Sequence, residues 1–188
     1  MKLSSLLLLG TVTLSACAGL SYVQPTSGDR ARVRFVTDTS GVSVLRTYQG
    51  VDCSGSEQEW MRLRRGVLLT SSVTRLGMPL WDYEEKAAKE VYVATAQPLT
   101  AIFWGTSVET SGSTRTSYQC GVPFTTTFES GKDYEVKYSW HRTACTLTVS
   151  EIVAKGQGHE FRQIASFSNR VENPNSQCLA QFKRFRMD

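Results

Sequence analysis

"DYEVKYSWHRTACTLTVS", Asp133 to Ser150, decides the fold class. Tyr134, Val136, Tyr138 and Trp140 fall on one side of an extended chain, and Glu135, Lys137 and Ser139 on the other. "HRTA" then turns the chain, after which Cys145, Leu147 and Val149 alternate with Thr146, Thr148 and Ser150. Side chains in a strand point alternately to opposite faces, so period-2 patterning on both sides of a polar turn predicts a β-hairpin with one buried face.

The same reading extends outward. "ARVRFV", Ala31 to Val36, sets Ala31, Val33 and Phe35 against Arg32 and Arg34, and predicts a strand with one face in water. After "DTSG", "GVSVLRTYQ", Gly41 to Gln49, is expected to return as its hairpin partner. "WMRLRRGVLLT", Trp60 to Thr70, is ambiguous, its second half resembling a buried strand. Strands are also expected at Glu90 to Thr95, Leu99 to Gly105, Pro123 to Phe128 and His159 to Phe167, with Pro98 at a strand start and a loop at Ser111 to Thr114.

One helix is plausible. Trp81 to Glu90 carries Asp82, Glu84 and Glu85 early and Lys86 and Lys89 late, the order that a helix dipole favours. Many short strands and at most one short helix predict an all-β domain, an antiparallel β-sandwich with a barrel as the alternative.

The N-terminus predicts an address. Met1-Lys2 is a short basic start, Leu3 to Leu14 is mostly apolar, and Ser15-Ala16 are small. That order is the one of a secretory signal peptide, and the apolar run is too short for a membrane-spanning helix. Residues 17–29 are expected to be a tether rich in small polar residues, and 30–188 a single domain with a C-terminal tail. Fully extended, such a tether reaches about 40 Å.

Of the five cysteines, Cys53, Cys120, Cys145 and Cys178 remain for the domain, an even number in an exported chain. They predict two disulfides, each contributing roughly 3–5 kcal/mol. Three connectivities are open, with Cys120–Cys145 and Cys53–Cys178 preferred because the first closes a local loop and the second ties down the tail. None lies in a Cys-x-x-Cys pair, which argues against zinc and redox motifs.

Leu14-Ser15-Ala16-Cys17 resembles the bacterial lipobox. The resemblance implies a thioether lipid on Cys17, cleavage after Ala16 and acylation of the new amino terminus. Ala18, rather than aspartate, implies sorting to the outer membrane. Further along stand Tyr22, Pro25, Gly28 and Ala31 to Arg34; then Leu76 to Pro79; then Cys120, Pro123, Phe128, Gly131, Tyr134 and Val136; then Cys145. With these the chain resembles a family of small, uncharacterised Gram-negative lipoproteins, which implies a β-rich periplasmic domain with no assigned chemistry.

Motifs for chemistry are sparse. There is no phosphate loop, dinucleotide fingerprint, His-Glu-x-x-His, calcium loop or Gly-x-Ser-x-Gly. His141 is expected in a hairpin turn and His159 in a loop, both in surface roles. No cofactor, metal or catalytic residue is expected. The formal charge of +4 is too small to argue for nucleic acid. Arg62, Arg64 and Arg65, and Lys183, Arg184 and Arg186, form two basic stretches suited to lipopolysaccharide phosphates, peptidoglycan carboxylates or an envelope protein.

The expectation is therefore a non-catalytic, lipid-anchored envelope binding or structural module. One alternative is an enzyme inhibitor, since Phe103 to Gly105 and Ser130 to Tyr134 resemble pieces of the membrane-bound lysozyme-inhibitor lipoproteins in reversed order. The other is a cryptic hydrolase.

Overall fold

The two strands expected from Asp133 to Ser150 are present as an antiparallel pair within one sheet. A computed structural model describes residues 22–39, 41–48, 57–64, 74–141 and 144–168. Among them are nine strands and no helix: β1 Arg30–Thr37, β2 Val42–Tyr48, β3 Glu57–Arg64, β4 Ala88–Ala94, β5 Leu99–Ser111, β6 Thr114–Thr126, β7 Asp133–His141, β8 Ala144–Lys155 and β9 Gly158–Ser168. They form a five-stranded sheet, order β4-β1-β7-β8-β9, and a four-stranded sheet, order β3-β2-β5-β6. Neither closes into a barrel, so the fold is an all-β sandwich.

β7 and β8 pair from Tyr134 opposite Glu151 to His141 opposite Ala144. Tyr134, Val136, Tyr138, Cys145, Leu147 and Val149 all point into the core, as the alternation predicts. They meet Leu45, Met61, Leu63, Phe103, Val122 and Phe124 of the other sheet. Phe103 and Tyr138 stack across the interface with centroids 5.1 Å apart. Gly105 makes room for that ring: a Cβ there would lie 2.6 Å from the Tyr138 hydroxyl oxygen. The hydroxyl donates to the Cys120 carbonyl at 2.8 Å.

Three local expectations are corrected. First, β1 and β2 are not a hairpin. β1 pairs with β4 and, in parallel, with β7, whereas β2 pairs with β3 and β5 in the other sheet. The Asp38 to Gly41 link is a crossover. The hydroxyls of Thr37, Thr39 and Ser43 bond one another there at 2.7 to 3.1 Å, all buried. Ser139 donates to Asp38 at 2.6 Å, tying the link to β7.

Second, Trp81 to Glu90 is not helical. One turn closes from Ala87 N–H to Glu84 C=O, and the chain then enters β4, where Val91 and Val93 pair with β1 and fill the core. A charge order suited to a helix dipole contributes only tenths of a kcal/mol, less than burying two valines.

Third, β1 has no fully wet face. Arg34 is wholly buried. The segment from Thr74 to Ala87 lies over Arg34 on the outer face of the five-stranded sheet. Arg34 stands directly opposite Glu90 on β4 and Glu135 on β7. It bonds Glu90 at 2.9 Å and Glu135 at 3.3 Å, and donates to the carbonyls of Met78, Pro79 and Leu80. The Glu90 carboxylate also accepts the backbone N–H groups of Leu76 and Met78. The Leu-Gly-Met-Pro turn is thus held by a buried ionic network. Leu80 takes a left-handed φ of 57° beside it, which a branched side chain adopts only when its surroundings fix it.

Burial holds the Glu135 carboxyl above the usual carboxylate range; the Tyr83 hydroxyl, donating at 2.8 Å, and Arg34 oppose this in part. A carboxyl whose pKa is raised on folding contributes stability at low pH and loses it as pH rises through the raised value. Glu135→Gln removes this titration. The stability of the variant relative to wild type is therefore expected to rise between about pH 4 and pH 7. Urea melts of both proteins across that range test it; a constant or opposite difference refutes it.

Candidate functional site

One groove opens at the end of the sandwich where β2 finishes and β5 begins. Its volume is about 770 Å³. The floor comes from Thr47 and Tyr48 of β2, Val93 of β4, and Leu99 and Thr100 of β5. Gln58 and Trp60 form one wall, and Ala96, Gln97 and Pro98 of the β4–β5 loop the other.

The remaining wall is the chain ahead of β1. The sequence reads residues 17–29 as a tether, but from Tyr22 onward the chain is docked on the domain. Tyr22 stacks on Trp60 with centroids 3.9 Å apart, and its hydroxyl donates to the Tyr92 carbonyl at 2.9 Å. Its N–H donates to the Trp60 carbonyl at 3.4 Å. Gln24 accepts the Tyr92 N–H at 2.8 Å, and Asp29 C=O accepts the Thr95 N–H at 3.1 Å. β3 and β4 are the edges of the two sheets. Tyr22 bonds to both, so this strap staples one sheet to the other. Burial raises the Tyr22 hydroxyl to about 12, so it remains a donor at neutral pH.

A bulge aims Trp60. Leu45 pairs with Met61 and Arg46 with Glu59, which leaves Trp60 as the extra residue on β3. The extra residue shifts the pleat, re-aims the side chain and puts Glu59 on the same face as Arg62. Arg62 therefore pairs with Glu59, at 2.5 Å and 3.0 Å.

The lining is chemically uniform. Among the described residues, rings, aliphatic groups, amides and hydroxyls make it up, with no Asp, Glu, Lys, Arg, His or Cys. Such a surface can stack, exclude water and hydrogen-bond, but it offers no group that exchanges protons near neutral pH.

The residues singled out in the sequence do not gather at this groove. Cys120 and Cys145 are joined as expected and link β6 of one sheet to β8 of the other, with Cα atoms 6.1 Å apart. Cys17, Cys53 and Cys178 lie outside the described residues, as do Arg65, Lys183, Arg184 and Arg186, and the apolar second half of Trp60 to Thr70. Arg62 is exposed and ion-paired, while Arg64 is half-buried and its backbone N–H donates to the Lys86 carbonyl. His159 is exposed on β9 opposite Ala154, beside the β8–β9 turn, and His141 ends β7. Among the described residues, no three potential metal ligands cluster and no helix is long and apolar enough to cross a membrane.

Sequence reasoning missed Trp60, Gln58, Gln97 and the strap as a unit. Tyr22 was visible only as part of a family pattern. The usable signal was an aromatic residue in the supposed tether. Comparison with known proteins adds no identity: no family model, no curated protein and no solved structure matches the chain.

Proposed function

We propose that this chain is a lipid-anchored envelope lipoprotein of the outer membrane whose β-sandwich binds a partner without catalysing a reaction. The groove carries the binding reading. Its size falls in the range of ligand sites, and its lining combines aromatic faces with neutral hydrogen-bonding groups. The anchor reading rests on the order of Lys2, the apolar run and Leu14 to Cys17.

Two measurements test the two halves. Mature protein is expected in the detergent phase with an acyl-modified Cys17, and Cys17→Ser is expected to accumulate as precursor; an unmodified thiol at Cys17 refutes the anchor. A photo-crosslinking side chain at Gln97 is expected to capture an envelope component in cells, and the His141→Ala, His159→Ala double variant is expected to keep that capture. A phenotype lost with the two histidines, in folded and correctly located protein, would favour a hydrolase instead.

One feature favours the inhibitor reading as a second choice. β2 pairs with β5 only as far as Thr106, yet β5 and β6 continue together to Ser111 and Thr114. The resulting two-stranded arm has an exposed tip, the shape that enters an enzyme cleft. Shortening the tip would abolish inhibition and leave the groove intact.

A further inference from the structure

We infer that the uncharged rim of the groove lies against the bilayer that holds Cys17. The inference rests on the anchor reading above and adds an orientation to it. Tyr22 is fixed to both sheet edges, and it follows Cys17 by only five residues. Five residues fully extended span at most about 18 Å. A link of that length cannot lift the domain far from the lipid surface, and the strap with its groove is the part of the domain that it brings there.

Val23, in the strap, is 83 % exposed, more than any other large hydrophobic side chain among the described residues. Ala94, Ala96, Gln97 and Pro98 line the opposite rim, all exposed and none charged. Bringing a charged side chain against lipid strips its hydration at high cost, whereas valine, alanine and proline lose little. Tyrosine and tryptophan, here Tyr22 and Trp60, suit the polar-apolar boundary of a bilayer. An anchored neighbour also raises the local concentration of the rim at the lipid, so weak apolar contacts suffice.

β5 starts at the groove with Leu99 and runs to Ser111. Its length, at about 3.3 Å per residue, sets the β5–β6 tip roughly 40 Å along the strand from the groove. The tip is thus the internal control for distance from lipid.

The test uses the full-length protein as the cell processes it, added to vesicles of phosphatidylethanolamine and phosphatidylglycerol carrying a head-group nitroxide. A fluorophore is placed through Gln97→Cys or, separately, Ser113→Cys, both exposed positions. The expected result is quenching at Gln97 several-fold stronger than at Ser113. Equal quenching at the two sites, or stronger quenching at Ser113, in protein that sediments with the vesicles overturns the inference and leaves the anchor standing. Protein that stays in the supernatant with an unmodified Cys17 overturns both.

Discussion

Arg34→Ala is expected to cost about 3–5 kcal/mol of unfolding free energy, enough to remove much of the stability of a domain of this size. The reason is the charge left behind. Glu90 is fully buried and Glu135 nearly so, and Arg34 is the cation placed between them. Without it two carboxylates face each other across β1 in a site that water does not reach. Three carbonyls, those of Met78, Pro79 and Leu80, lose a donor as well. The covering segment should loosen first, so limited proteolysis near Leu80 should quicken before the domain melts. Arg32→Ala is the control. Arg32 makes a bidentate pair with Asp133 at 2.7 Å, but its side chain is 36 % exposed, and such a pair contributes at most about 1 kcal/mol. Replacing Arg34, Glu90 and Glu135 together by apolar residues should recover only part of the loss. Glu90 also accepts the N–H groups of Leu76 and Met78, and an apolar side chain cannot. Chemical denaturation placing Arg34→Ala within about 1 kcal/mol of wild type would show that the network is not stabilising.

That network marks where sequence reading stops. The β7–β8 hairpin was legible because one face is apolar and the other polar, and burial follows the same alternation. Arg34, Glu90 and Glu135 sit at the polar positions of three such strands, so alternation assigns all of them to water. Only the register sets arginine opposite both glutamates, and register between distant strands is not written in local pattern. The crossover after β1 failed for a related reason. "DTSG" has turn chemistry, but Thr37, Thr39 and Ser43 use their hydroxyls on one another rather than to close a hairpin. The groove was illegible because its parts come from four strands, a loop and a strap, and because a bulge at Trp60 decides where its main ring points. Local sequence carries alternation well. It carries poorly whatever depends on which strands meet.

Removing the Cys120–Cys145 bridge with Cys120→Ala and Cys145→Ala is expected to lower stability by about 3.5 kcal/mol, the loop-entropy value for a separation of 25 residues. For a domain of this length that is a fall in Tm of roughly 7–14 °C. The double variant is the right one, because a single change leaves a free thiol able to exchange. Alanine is preferred to serine because Cys145 is wholly buried, and a hydroxyl there would need a partner. The bridge also has a structural neighbourhood that amplifies its loss. Cys120 pairs with Gly105 across β5 and β6, and the Tyr138 ring lies over Gly105 and donates to the Cys120 carbonyl. Tyr138 in turn stacks on Phe103. Bridge, tyrosine and ring stack therefore fasten the two sheets at one place, on the side away from the Tyr22 strap. Reduction of the wild-type protein should lower Tm at least as far, since it breaks this bond, and any bridge between Cys53 and Cys178 with it, without changing a residue. Thiol labelling of unfolded, unreduced protein should find no free cysteine if Cys53 and Cys178 are joined as the sequence leads one to expect. Oxidised and reduced protein melting within about 2 °C of each other would mean that the tyrosine contacts alone hold the sheets, and that the bridge contributes little to stability.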